Sequence, residues 1–182
     1  NKISVVTELL HMEFFDEVNF DYIRFASDGV LKDIVYPAWN SVTPKATIIQ
    51  NFWKYVREAI PDRPISADLF GLVSISYDDL GIGQKLEHAF GMFDGIAPMV
   101  YPSHYYKGSL GYQNPAEHPY EIVYHSTREA VRRLELHQKK QASLAASTTI
   151  QFTSDARPST IRPWLQDFDL GADYDAAKVR AQ

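Results

Sequence analysis

The chain has 182 residues, 45% of them hydrophobic, a formal net charge of -5 and no cysteine. That composition is globular and long enough to enclose a core, while the acidic balance, without any Lys/Arg stripe, argues against a nucleic-acid partner. The lack of cysteine removes thiol nucleophiles, Cys-based zinc sites and disulfides, no apolar run approaches the roughly 20 residues of a membrane span, and no signal-peptide pattern opens the chain.

In chain order, residues 2–15 predict a helix with Val5, Leu9, Leu10 and Phe14 on one side, and residues 18–25 a strand followed by a turn at 26–29. Residues 46–60 predict a second helix, opened by Thr43 and Pro44 and closed by Pro61 and Asp62, with Ile48, Phe52, Val56 and Ile60 at spacings of four. A strand at 65–70, a helix at 81–93 with Ile82, Leu86, Ala89, Phe90 and Phe93 inward, and a strand at 95–101 come next. A long loop, 102–119, leads into a helix over 120–137 whose buried stripe is Ile122, Val123, Ala130, Val131 and Leu134. Residues 138–159 hold no sustained period and read as an insertion or flexible segment with a short strand at 148–152. A fourth strand at 161–168 and a helix starting in 173–182 complete the chain.

Mostly apolar strands separated by helices imply an α/β fold with a parallel sheet, either doubly wound or a (β/α) barrel. No G-x-G-x-x-G or P-loop follows a strand, and Gly81 and Gly83 have no third glycine behind them. The barrel is therefore expected, with its reactive groups at the C-terminal ends of the strands.

Alternation places Asn19, Asp21 and Ile23 opposite Val18, Phe20 and Tyr22, so Asp21 leaves the first strand on the less apolar side. It reads as a catalytic acid, or else as an edge-strand carboxylate paired with Arg24. Ser66 and Asp68 likewise oppose Ile65, Ala67 and Leu69, with helix capping as the alternative for Asp68. Inward carboxylates on neighbouring strands, about 4.8 Å apart, could approach the spacing of a glycosidase pair. The third strand opens into Tyr101, His104 and Tyr105, and the tyrosines, histidines and amides that follow suit a sugar ring and its hydroxyls, or a loop packed on its own aromatics. On the fourth strand Trp164 and Gln166 face inward if Leu165 faces out, with Asp167 at the terminus. Trp164 could be a stacking platform or barrel packing. Asp78 and Asp79 read as caps of the helix at 81–93, and His104 and His118 lack the acidic partners of a recognised metal motif.

Six blocks in order carry a resemblance: Asn19 to Phe25 with Ser27-Asp28-Gly29, Ser66 to Leu72, Asp78 to Gln84, Pro98 to Tyr105, His118 to Glu121, and Arg162 to Phe168. With these the chain resembles the bacterial glycoside-hydrolase-like domain family DUF4015 over most of its length, apart from 138–159 and from Ala26, where a proline is expected. The resemblance implies a single partial (β/α)8 TIM barrel across 1–182, about strands four to seven, and an extracytoplasmic or secreted setting. It also implies a glycosidase acting on a polysaccharide or cell-wall glycan; from the residues themselves no metal or other cofactor is expected. By analogy with amylase-like barrels, which carry acids on strands four, five and seven, Asp21, Asp68 and Asp167 are the expected catalytic carboxylates. Asp21 would be nucleophile or stabiliser, held ionised by Arg24, and Asp68 the acid/base, with Arg24, Tyr101, His104, Tyr105, Trp164 and Gln166 contacting the sugar. The rival readings are a carbohydrate-binding barrel without turnover and a metal-dependent hydrolase using His104.

Overall fold

Among the described residues four parallel strands pair in the order in which they occur, and the apolar side chains of one sheet face meet the helices that connect them. The computed structural model describes residues 2–11, 15–37, 39–147 and 158–182. Its elements are α1 (Lys2–His11), β1 (Val18–Phe20), α2 (Lys45–Ala59), β2 (Ile65–Phe70), α3 (Leu86–Ala89), β3 (Gly95–Met99), α4 (Pro119–Ser147), β4 (Thr160–Ile161) and α5 (Ala176–Ala181). A sequential parallel order is that of a singly wound (β/α) barrel, since a doubly wound sheet reverses its strand order midway. The expected partial barrel architecture is therefore present.

The core forms because β2 alternates. Ile65, Ala67 and Leu69 are fully buried and pack with Ile96 of β3 against Trp53 and Val56 of α2, Leu86 of α3, and Ala130 and Leu134 of α4. On α2 the buried stripe is Ala46, Ile49, Trp53 and Val56, rotated from the expected Ile48 and Phe52; Phe52 is exposed. Strict steps of four drift around a helix of 3.6 residues per turn, whereas steps alternating between three and four stay on one face.

The expected helix at 81–93 shrinks to α3. Asp78 accepts from the Ser76 hydroxyl and the Leu80 amide, and Asp79 accepts from the Gly81 amide. These carboxylates thus build a turn rather than cap a helix, and positive φ at Leu80, Gly81 and Gly83 keeps that stretch from being helical. At the other extreme α4 runs through Ser147, beyond the expected end at 137, as a largely exposed helix rich in Ala, Gln and Lys. The short strand expected at 148–152 lies outside the described residues. The fourth strand is shorter than expected, Thr160–Ile161, with one further bridge from Met99 to Trp164 beyond Pro163.

Two polar clamps fix the ends of the sheet. At its N-terminal edge Asp94 accepts from the Ile65 amide and from Arg57, at 2.9 and 2.6 Å, joining β2, β3 and α2. Above its C-terminal edge the buried Arg133 of α4 donates to the carbonyls of Val73, Ser74 and Ser76 and grips Glu87 through two bonds of 2.7 and 2.6 Å. Its guanidinium also lies 4.4 Å from the Tyr77 ring centroid. The segment after β2 is thereby tied to α3 and α4. Between the strand ends, Gly71 is obligatory for space: a Cβ there would lie 2.1 Å from the Met99 carbonyl oxygen.

Burial pushes the Glu87 carboxyl up, but the Arg133 hydrogen bonds and its own backbone amide outweigh this and hold it below its ordinary 4.5. A carboxyl depressed in the folded state stabilises above its unfolded value and loses that contribution as pH falls through the folded value. Glu87→Gln should therefore cost about 1–2 kcal/mol at neutral pH, a figure discounted for the partial exposure of Glu87. The difference from the parent should close below pH 4.5, as read by denaturant unfolding across a pH series. Gly71→Ala should cost about 1–3 kcal/mol in the same assay at any pH, because only backbone can yield.

Candidate functional site

The sheet face opposite the helices is polar. Register pairs Asn19 of β1 with Ser66 of β2, and Ser66 and Asp68 with Gly95 and Ala97 of β3, so these residues share one side. Ser66 Oγ donates to Asn19 Oδ1 at 2.8 Å, and Asn19 Nδ2 donates to Asp68 Oδ2 at 2.9 Å. The Trp164 indole N–H donates to the other oxygen, Asp68 Oδ1, at 2.7 Å. Asp68, a residue only 7% exposed, thus has both carboxylate oxygens engaged by neutral donors from two other strands or strand ends.

Small residues on β3 make this possible. Trp164 follows β4, and β3 separates it from β2, so its indole has to cross the strand where Ala97 stands in register with Asp68. One layer down, Arg162 lies over Gly95, where a Cβ would meet its Nη2 at 1.5 Å, and reaches Glu17 ahead of β1 through bonds of 2.6 and 3.1 Å. The Arg162 hydrogen bond is the chief reason that the Glu17 carboxyl sits below its ordinary value. Glu17, Asn19 and Arg162 were not among the expected site residues. The signal for Asn19 was in the sequence, on the expected inward face of its strand.

Asp21 lies just past β1, exposed, and its Oδ1 accepts from the Tyr22 amide at 2.6 Å. The expected strand at 18–25 ends at Phe20 because Tyr22 adopts φ 56, a left-handed conformation that turns the chain. Arg24 does not pair with Asp21. It donates to the Phe25 carbonyl and Ser27 Oγ, lies 3.9 Å from Asp28, and stacks on the rings of Tyr22 and Phe70. Asp167 is exposed on the segment after Trp164.

Tyr101, at the end of β3, connects these groups. Burial raises the pKa of its phenol, and the negative charges of Asp68, Asp21 and Asp167 add to this in that order. The phenol thus stays protonated and able to donate a hydrogen bond. His104 packs edge-on against Tyr101 and Phe168 and has Nδ1 3.1 Å from Ser103 Oγ; burial lowers its pKa and so favours the neutral imidazole. Trp164 is half exposed and presents the rest of its ring.

Two expected sugar contacts are committed elsewhere. The Tyr105 hydroxyl is buried and bonded to the Gly71 carbonyl and Ser126 Oγ, anchoring the loop after β3 on α4; burial drives its pKa up. Gln166 is fully buried, accepting from the Ser103 amide and donating to the Phe168 and Leu170 carbonyls, so it joins the loops after β3 and β4. His118, stacked on Tyr112 at 4.1 Å, belongs to the same loop packing. Among the described residues no three His, Cys, Asp or Glu side chains gather in a way that could hold a metal ion.

Chemically, the face offers a buried carboxylate fixed in orientation, two exposed carboxylates at the rim, a neutral phenol and imidazole, and an indole surface. No curated protein and no solved structure matches the chain. The family model for DUF4015, described as "Putative glycosyl hydrolase domain", matches residues 1–182, and the chain belongs to that family.

Proposed function

We propose that the chain hydrolyses a glycosidic bond of a polysaccharide or cell-wall glycan, with Asp68 as the carboxylate that faces the anomeric carbon. The observation that carries this reading is the pair of hydrogen bonds to Asp68. Both carboxylate oxygens accept from N–H groups, Asn19 Nδ2 and Trp164 Nε1, so neither oxygen faces an acceptor to which a proton could be passed. An anion held this way suits the oxocarbenium-like transition state, either by attack on the anomeric carbon or by charge alone, and does not suit proton donation. The assignment thus departs from the expectation that Asp68 is the acid/base.

Asp21 takes that part instead. It stands exposed just past the end of the neighbouring strand, where its carboxyl is open to a glycosidic oxygen. The Asp21 proton passes to the glycosidic oxygen as that bond breaks, and a water molecule supplies the hydroxyl at the anomeric carbon while its other proton returns to Asp21. Tyr101 and His104 donate to substrate hydroxyls, Trp164 stacks on a sugar face, and Asp167 accepts from a hydroxyl at the far rim. Arg24 supports the rim through its stacking on Tyr22 and Phe70. A carbohydrate substrate accords with the family, and among the described residues no helix is long and apolar enough to cross a membrane.

A second reading, glycan binding without turnover, draws on the same bonds, because Asp68 spends both oxygens on protein donors. Release of reducing ends from a glycan panel separates the two. Asp68→Asn should lower turnover by about 10²–10³-fold while retaining glycan affinity, and Asp21→Asn by about 10²-fold or more. Turnover unchanged in Asp68→Asn overturns its role, and binding with no turnover by the parent selects the second reading. Trp164→Phe keeps an aromatic surface but removes the donor to Asp68 Oδ1; kcat should fall about 10- to 100-fold with KM little altered.

A further inference from the structure

A cleft of about 650 Å³ opens beside the polar sheet face, and neither the expected site residues nor the family description covers it. Its walls come from the segments that follow β1, β2 and β3: Ser27, Asp28, Tyr36 and Trp39 from the first, Leu80 to Ile82 from the second, Tyr106 from the third. Three successive strand-to-helix connections therefore converge on one concavity at the C-terminal edge of the sheet, the edge at which barrels bind their substrates. Phe70 also lines it. That residue stands two positions beyond Asp68 on the same face of β2, about 7 Å along the strand.

The walls are packed against one another. Phe25, Tyr36 and Trp39 pack edge to face, with centroids 4.8 to 6.0 Å apart, and the Lys45 ammonium sits 5.0 to 5.7 Å from all three while donating to the Gly81 carbonyl at 2.7 Å. The cation fills that aromatic box from within and ties α2 to the turn at 79–83. What remains for a ligand is a trough with ring surfaces, the Ser41 hydroxyl, and the Asp28 carboxylate, which accepts from Ser27 Oγ but is 80% exposed. Its volume lies in the range of small-molecule sites, and aromatic faces beside hydrogen-bonding groups are the chemistry that recognises a sugar.

We propose that this cleft is a glycan subsite, holding neutral sugar units that extend from the unit at Asp68; this assignment rests on the glycosidase reading for its orientation. Tyr106, 71% exposed at the mouth, is the platform, and Asp28 accepts from ring hydroxyls. The site consequently prefers chains over disaccharides.

The test uses the Asp68→Asn chain for binding and the parent for turnover, with neutral β-1,4- and α-1,4-linked glucose, xylose and N-acetylglucosamine oligomers of about two to six units as probes. Calorimetric affinity should rise with length, and Tyr106→Ala should weaken the longer oligomers about tenfold while leaving the disaccharide unaffected. Asp28→Asn should act in the same sense. In the parent, Tyr106→Ala should raise KM for the longer oligomers alone. Oligomers bound equally by Tyr106→Ala and its parent, or turnover of short substrates with no dependence on length, overturn the subsite while sparing the glycosidase reading. Length-dependent, Tyr106-dependent binding without any turnover does the reverse. Absence of binding across the panel overturns the subsite.

Discussion

Ile65, Ala67 and Leu69 are fully buried on one side of β2, while Ser66 and Asp68 stand on the other, and both arrangements follow from a single two-residue period. The apolar side can be buried only by helices, so α2, α3 and α4 collect there, and the polar side is left for Asn19, Arg162 and Trp164 to meet Asp68 and Glu17. A slip of one residue in β2 would exchange the two faces, placing Asp68 under Trp53 and Leu86. Register thus joins core and site in one constraint.

Placing a carboxylate in that position carries an energetic cost that the sheet itself offsets. A buried charge without partners is strongly unfavourable, and here each oxygen receives a charge-assisted bond from a side chain on a neighbouring element. The donors in turn are fixed: Asn19 by Ser66, and Trp164 by the main-chain bonds that link it to Pro98 and Val100. Gly95 and Ala97 contribute by being small, since any bulk there would keep the long side chains of the fourth strand region from crossing β3. The result is a carboxylate with a defined direction.

Around this fixed centre the rim is built from loops, and each is anchored in a different way. Arg133 holds the segment after β2, Tyr105 and Gln166 hold the segment after β3, and the Lys45 box braces the one after β1. Several residues with the composition of sugar contacts are therefore supports: the phenol of Tyr105 and the amide of Gln166 have their hydrogen-bonding capacity turned inward. Gln166 thereby fixes the loop that carries His104 beside Tyr101, whose phenol feels the charges of Asp68, Asp21 and Asp167.

The sequence by itself determined the α/β class, the four strands, the family and the side of β2 on which Asp68 lies, because period-two alternation and apolar stripes are local properties that a chain displays without its partners. It also exposed Asn19 as an inward residue. Only the tertiary structure decided what Asp68 meets, because Trp164 is distant in sequence and reaches it over a small residue on an intervening strand. The same holds for Arg24, whose nearest acid in the sequence pattern was Asp21 but whose partner is Asp28, since the left-handed turn at Tyr22 redirects the chain before the guanidinium is placed. Tyr105 and Gln166 looked identical in kind to substrate contacts, and which of their atoms face the core depended on packing between loops that no local period encodes.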